Sequence, residues 1–101
     1  MKNARFLEPA DAELEGHISY FEKQLIALGE RFEQEVRYAV GLVSEHPRIG
    51  APLTKRVRKL RLRTFPYNLI YVPEDDEIVI VAVAHHKRRP GYWRTRLGYS
   101  R

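Results

Sequence analysis

Two adjacent histidines, His85 and His86, follow directly after an apolar run that suits a buried strand, and three basic residues come next. A histidine at a strand end, near arginine and tyrosine, could serve as a general base on a ribose 2′-hydroxyl. The alternative, which the sequence favours, is an imidazole that only hydrogen-bonds locally. A metal site needs three or four converging ligands, whereas His17 and His46 lie in the helical half with no ligand spacing. We therefore expect neither a metal nor a cofactor.

A second group of reactive side chains lies on a predicted strand, residues 57–63. Alternation along this strand places Lys59, Arg61 and Arg63 on one face, because successive side chains of a strand point in opposite directions. Guanidinium groups bind phosphates and carboxylates in paired geometry. Such a face fits RNA, DNA or an acidic peptide, and the residue types leave all three open.

A third group lies near the C-terminus, where Tyr92 and Trp93 are set among arginines. Aromatic side chains among arginines can stack on bases or anchor a protein interface. We expect Trp93 to close the core and the arginines to form the exposed part. The basic residues concerned are Arg88, Arg89, Arg94 and Arg96.

Charge is distributed unevenly along the chain of 101 residues. Residues 1–45 carry 5 Lys/Arg and 9 Asp/Glu, a net of −4, and residues 46–101 carry 13 and 4, a net of +9. A segregated basic half suggests an anionic partner, although a solvated basic face without a partner is the alternative. Because cysteine, a signal peptide and a membrane-spanning stretch are absent from the sequence, we expect a soluble cytoplasmic protein.

The first half predicts a short strand at residues 3–7 followed by two helices. Pro9 suits the first turn of a helix, since its missing N–H would be unpaired there anyway. Gly29 is a plausible end of the first helix, and the second ends before Pro47. The apolar stripe of the first helix recurs at spacings of three and four and should face the sheet. Its members are Leu14, Ile18, Phe21, Leu25 and Leu28.

The second half predicts a linker at residues 46–53 and strands at 57–63, 67–72 and 78–84. The last of these strands is apolar at every position, so both of its faces need cover. The helix hairpin can cover one face. We expect the C-terminal tail, turned by Pro90 and Gly91, to fold back across the other.

The order of these elements, with VRKLRLRTFPYNLIY at 57–71 and IVIVAVAHHKRRPGYWRTRL at 78–97, resembles the RelE/ParE family of toxins from type II toxin–antitoxin, or plasmid stabilisation, modules. The resemblance covers nearly the whole chain and implies one α+β domain over residues 1–101. The implied RelE-like fold is βααβββ, with two helices on an antiparallel sheet, the first strand beside the last, and a short C-terminal tail or helix.

The resemblance also implies a partner, a cognate antitoxin with an acidic, partly disordered segment that covers the basic surface. The charge asymmetry agrees with such a partner. Members similar to RelE cleave mRNA on the ribosome, whereas members similar to ParE inhibit DNA gyrase. The residues expected to bind the antitoxin are Lys59, Arg61, Arg63 and Lys87.

The FPY and RRPGYW segments resemble the ParE side of the family. Asn68 and Trp93 stand where the nucleases commonly carry a basic residue and a tyrosine. We therefore expect a gyrase inhibitor without catalytic residues, whose exposed tail binds the target and is not needed for stability. The expected target-binding residues are Arg88, Arg89, Tyr92, Arg94 and Arg96. The alternatives are an inactive antitoxin-binding relative or a ribosome-dependent endoribonuclease; the nuclease would use Arg61, Arg63, His85, Lys87 and Tyr92.

Overall fold

The computed structural model describes residues 1–98, in which two helices pack on one five-stranded sheet. The elements are β1 (Asn3–Phe6), α1 (Glu8–Gln24), α2 (Ile26–Glu45), β2 (Ala51–Pro52), β3 (Arg58–Arg61), β4 (Tyr67–Pro73), β5 (Glu77–His85) and a short 3₁₀ helix (Arg94–Leu97). The strand order is β1-β5-β4-β3-β2. The α+β class and the pairing of the first strand with the last are confirmed. The sheet is mixed rather than antiparallel, because β1 runs parallel to β5.

The joint between the helices differs from the sequence prediction. Leu25, with φ −165° and ψ 127°, is extended and separates α1 from α2. Its side chain is 62% exposed, so the expectation that Leu25 faces the sheet is wrong. Leu14, Ile18 and Phe21 do pack against the core, as the stripe predicts.

Gly29 does not end a helix but lies in the first turns of α2, against α1. A Cβ atom added at Gly29 would lie 2.3 Å from Cγ of Glu22 and 3.0 Å from the carbonyl oxygen of Ile18. Real Cβ atoms do not approach heavy atoms so closely. The glycine is therefore explained by the close approach of two helices rather than by helix termination.

The main core lies between the helices and one face of the sheet. Phe32, Val36 and Val43 of α2 are fully or almost fully buried. They share one apolar cluster with side chains from the two central strands, β4 and β5. Tyr71 of β4 is also fully buried there, and its hydroxyl donates a hydrogen bond of 2.8 Å to the carbonyl oxygen of Pro47. This contact ties the loop after α2 to the sheet.

The opposite face of the sheet is covered by the C-terminal tail, residues 86–98. Trp93 is 3% exposed and packs in a second apolar cluster with Val57, Ile70 and Val81. A register shift interrupts the pairing of β4 with β5: Ile70 pairs with Ala82, and the next residue, Tyr71, pairs with Ile80. Val81 is therefore an extra residue in β5, and it packs in this second cluster. The expectations that Trp93 is a core residue and that both faces of the last strand are covered are confirmed.

Candidate functional site

The tail leaves the sheet through a tight turn at the end of β5. The backbone N–H of His86 donates to the carbonyl oxygen of Pro66 at 2.9 Å, and that of Arg88 donates to the carbonyl oxygen of His85 at 2.9 Å. Gly91 has φ +77°, a conformation that other residues rarely adopt. This glycine allows the chain to reverse, so that Trp93 and the 3₁₀ helix reach back over the sheet.

A carboxylate from α1 holds the tail in place. Oε1 of Glu13 accepts hydrogen bonds from Nη1 of Arg96 at 3.0 Å and from the backbone N–H of Val83 at 3.0 Å. Oε2 accepts from Nη2 of Arg96 and from the hydroxyl of Tyr92, both at 2.7 Å. The side chains of Glu13 and Arg96 are only 13% and 16% exposed. The paired contact is the fork geometry that arginine makes best with a carboxylate.

These contacts shift the ionisation of all three side chains. Burial alone would raise the pKa of Glu13, but hydrogen bonds from Arg96, Tyr92 and Val83 outweigh it and hold that pKa below its usual range. Burial and the hydrogen bond to Glu13 hold the pKa of Tyr92 well above its usual range. The same carboxylate raises the pKa of Arg96. The site therefore contains a carboxylate, a guanidinium and a neutral phenol.

The same side chains also complete the edge of β5 where β1 stops. The pairing of β1 with β5 ends at Ile80. Beyond that residue, the edge of β5 away from β4 has no neighbouring strand within residues 1–98 and faces α1 instead. The N–H of Val83 is bonded to Glu13, and its carbonyl oxygen lies 2.9 Å from Nε2 of His17. The carbonyl oxygen of Val81 accepts from Arg96 at 2.9 Å. Side chains of α1 and the tail thus replace a missing strand.

The expectation that the side chains of Tyr92 and Arg96 are exposed is wrong. Both side chains point inward and bond Glu13, whereas Arg88 and Arg89 are exposed. The guanidinium of Arg88 lies over the Tyr92 ring at 3.7 Å, and that of Arg94 lies 5.3 Å from the Trp93 ring. The rings of Tyr92 and Trp93 therefore support Arg88 and Arg94.

Residues of the sheet and of the tail together form a cavity of about 220 Å³, which we call the tail cavity. Lys59 of β3, His86 and Arg94 line it, and Tyr92 and Trp93 form part of its wall. Arg88 and Arg89 also line it, so that four Lys/Arg side chains surround one opening. The arrangement is suited to binding an anionic group, because guanidinium and ammonium groups are its main polar donors.

Of the residues of the nuclease alternative, His85 and Tyr92 line this cavity, whereas Arg61, Arg63 and Lys87 are not among the described residues that do. Arg61 pairs with Asn68 across the sheet, and β3 ends there. Arg63, beyond that end, lies over the ring of Tyr38 in α2 at 5.1 Å, so the prediction that Arg63 shares a face with Lys59 and Arg61 is wrong. The backbone N–H of Leu62 donates to the carbonyl oxygen of Tyr67 at 2.9 Å, and residues 63–66 then form the loop that leads into β4.

The histidine of the nuclease alternative makes a local hydrogen bond. Nδ1 of His85 lies 3.1 Å from the backbone nitrogen of Lys87, which donates to it. Its ring packs edge-on against Tyr67 at 5.0 Å and stacks on His86 at 4.7 Å. Partial burial and the nearby His86, Lys87 and His17 lower the pKa of His85. The local role favoured by the sequence is the one this geometry fits.

Two residues of α1 that matter most for the site, Glu13 and His17, were missed by sequence reasoning. The sequence pattern does not single out Glu13, and it brings in His17 only when a metal site is considered. One available signal was their spacing of four, which places both on the same side of a helix. In residues 1–98 no group of three or more His, Asp or Glu side chains is arranged to hold a metal ion. Within that range, neither helix is long and apolar enough to cross a bilayer.

Comparison with known proteins places the chain in a family. The family model described as "ParE toxin of type II toxin-antitoxin system, parDE" matches residues 4–90. One similar solved structure, titled "Chromosomal ParDE TA system from P. aeruginosa", has a TM-score of 0.72 at 18% identity and covers 84% of this chain and 96% of that one. At that identity the likeness concerns the fold. No curated protein gives a significant sequence match. Because the family model spans most of the sequence, this chain belongs to the ParE toxins of type II toxin–antitoxin systems.

Proposed function

We propose that this ParE-family toxin inhibits DNA gyrase in the cytoplasm through the tail cavity and its exposed arginines, and that a cognate antitoxin neutralises it. The observation that carries the proposal is the fixed tail. Glu13 holds Tyr92 and Arg96 from beneath, and the ring of Tyr92 in turn supports Arg88. A cationic surface held in one conformation loses little entropy when it binds a protein target.

The nuclease alternative has less support. Cleavage would require a base and at least one cation to reach the same phosphate. His85 lines the tail cavity together with Arg88 and Arg89, but Arg61 and Arg63, the cations that this alternative assigns, are not among the described residues that line it. Nδ1 of His85 already accepts a hydrogen bond from the backbone N–H of Lys87. Tyr92 is bonded to Glu13 and its pKa is raised, so it is poorly suited to accept a proton. We infer that catalysis is not the basis of toxicity.

The antitoxin follows from the family, and its chemistry is part of the proposal. An acidic segment that folds on binding would match the net charge of +9 in residues 46–101. Lys59 lines the tail cavity, and Arg61 and Lys87 are exposed, so one segment lying on the tail side could contact all three. Arg63 lines a separate groove beside α2 and would need a second contact.

The decisive experiment compares two readouts for the same variants. Purified toxin is added to a gyrase supercoiling assay, and mRNA from induced cells is examined by primer extension. We expect inhibition of supercoiling, and we expect Arg88→Gln with Arg89→Gln to reduce it by at least about tenfold, the scale of losing key charged contacts. Lys23→Gln with Arg31→Gln removes the same charge from the exposed helix hairpin and should have little effect.

The nuclease would be indicated by the opposite result. Cuts in mRNA that disappear in Arg61→Ala or His85→Ala, with supercoiling unaffected by the toxin, would refute gyrase inhibition. A toxin without effect in either assay would instead indicate a relative that only binds antitoxin. Co-expression with the neighbouring reading frame tests the partner, and a protein that stays monomeric with no copurifying acidic chain would contradict that part of the proposal.

A further inference from the structure

A second basic cavity, of about 460 Å³, lies at the end of the sheet opposite the tail. Pro73 at the end of β4 and Glu74 and Asp75 of the following turn line it, whereas the tail starts at the other end of β5. The two linings approach each other in β3, where Arg58 lines this cavity and its neighbour Lys59 lines the tail cavity. We call this the hairpin cavity. It is distinct from the tail cavity, and no residue lines both among the described ones.

Positive charge dominates the lining of the hairpin cavity. Five basic side chains come from three separate segments, against the two acids Glu74 and Asp75. The net charge of the lining is therefore +3. The basic residues are Lys2, Arg48, Lys55, Arg56 and Arg58. Side chains from separate segments converge on one concave site, which is a stronger indication of a binding site than a run of basic residues in one loop.

Arg58 is held by the backbone and keeps donors available. Its Nη1 donates to the carbonyl oxygen of Gly50 at 2.7 Å and to that of Arg48 at 3.3 Å. Its Nε and Nη2 make no hydrogen bond to any part of the chain between residues 1 and 98. Because the guanidinium is already held in position, its Nε and Nη2 can donate two parallel hydrogen bonds to one anion.

The acids in the cavity neutralise little of this charge. Glu74 lies 3.7 Å from Nη2 of Arg56, a long contact between side chains that are 44% and 52% exposed. Exposed pairs of this kind contribute little, so Arg56 remains accessible to a stronger anion. Arg48 and Lys55 make no ion pair within the described range. Lys2 donates to the backbone carbonyl oxygen of Glu74. The positive groups that the fold leaves accessible are therefore Arg48, Lys55, Arg56 and the remaining donors of Arg58.

We propose that the hairpin cavity binds the phosphodiester backbone of a nucleic acid without reading its sequence. Its lining contains no aromatic side chain among the described residues, so it offers charge to phosphates and no surface on which a base could stack. Its apolar part is limited to Pro47, Val72 and Pro73, which is little for the side chains that usually anchor an acidic peptide. The proposal does not depend on gyrase being the target.

The test measures binding of the full-length toxin to a short fluorescein-labelled DNA duplex of random sequence, by fluorescence anisotropy at several salt concentrations. Lys55→Gln with Arg56→Gln removes two exposed cations of the cavity without touching the core. We expect affinity to fall about tenfold at moderate salt, and the slope of log K against log [salt] to decrease by about 2, close to one per lost phosphate contact. Glu74→Gln should raise the affinity, since it removes an acid and frees Arg56.

Two matched controls separate this site from general electrostatics. Lys23→Gln with Arg31→Gln makes the same change of charge on the helix hairpin, and Arg88→Gln with Arg89→Gln makes it at the tail. An equal loss of affinity in the helix control would show that only net charge matters and would overturn the proposal. Loss confined to the tail variant would overturn it as well.

Competition identifies the class of anion. Inorganic polyphosphate should displace the duplex from the wild-type protein, because both present a row of phosphates. Poly-glutamate at the same charge concentration should displace it poorly. If poly-glutamate competes as well as polyphosphate, the site does not distinguish phosphates from the carboxylates of an acidic peptide, and the proposal is refuted.

Discussion

Glu13→Gln tests whether the fold depends on the tail. The substitution keeps the size of the side chain and removes its charge. All four contacts of the carboxylate are hydrogen bonds that it accepts, two on each oxygen. An amide has one oxygen and one NH₂ group, which cannot accept a hydrogen bond. Whichever way the glutamine is turned, two donors therefore lose their acceptor, and Arg96 is left without its counter-ion.

The expected cost is about 3 kcal/mol of unfolding free energy. Hydrogen bonds involving a charged group contribute about 1.5–3 kcal/mol each, and breaking a buried ion pair costs about 3–5 kcal/mol. We take the low end, because Arg96 keeps its hydrogen bond to Val81 and part of its solvent contact. For a domain of this size, such a loss lowers the midpoint of thermal unfolding by about 12–24 °C.

The measurement is urea unfolding followed by the fluorescence of Trp93, the single tryptophan, which belongs to the tail and packs on the sheet. Because folding lowers the pKa of Glu13, its stabilisation is present above the unfolded value of about 4.3 and is lost as pH falls through the lower folded value. The difference between wild type and Glu13→Gln should therefore shrink in acid. Glu15→Gln, an exposed carboxylate on the same helix, is the matched control. A Glu13→Gln variant within about 0.5 kcal/mol of wild type at neutral pH would refute the proposed role.

Three further predictions concern the rest of the fold. Leu69→Ala should cost about 2–5 kcal/mol because Leu69 is fully buried, whereas Leu25→Ala should stay within about 0.5 kcal/mol; equal costs in urea unfolding would contradict the assigned helix joint. Gly29→Ala should destabilise by about 1–3 kcal/mol through overpacking, while Gly41→Ala, with open space around it, should stabilise by up to about 1 kcal/mol in the same assay. Tyr71→Phe should cost about 1–3 kcal/mol, since its hydroxyl bonds the loop after α2; no change in the unfolding midpoint would show that water replaces it.

Local patterns were sufficient to predict the layers of the fold. An apolar residue at every position of a strand indicates cover on both faces, and the structure places helices on one face of β5 and the tail on the other. The spacing of three and four in α1 likewise predicted which side of that helix meets the sheet. Each of these predictions needed only the pattern of apolar residues within one helix or strand. None depended on which distant segments of the chain come into contact.

The errors arose where a residue's role depends on a distant neighbour. Glycine is a residue type typical of helix ends, but at position 29 it is needed because the side chain of Glu22 in the other helix leaves no room for a Cβ atom. Arg63 continues the alternation of a strand that in fact ends at Arg61. Glu13 lies about 80 positions from Tyr92 and Arg96 in the sequence, and no periodicity joins groups so far apart. The sequence therefore predicted which tail residues belong to the candidate site, but it did not predict that Glu13 holds them in place.

The basic half of the chain is also less uniform than its net charge suggests. Arg96 donates hydrogen bonds to Glu13, and one nitrogen of Arg58 donates to backbone carbonyl oxygens, so these two cations stabilise the fold. The accessible remainder is divided between the tail cavity and the hairpin cavity, whose linings share no described residue. We therefore expect an acidic segment of the antitoxin that covers only one of these cavities to leave the other open to a second partner.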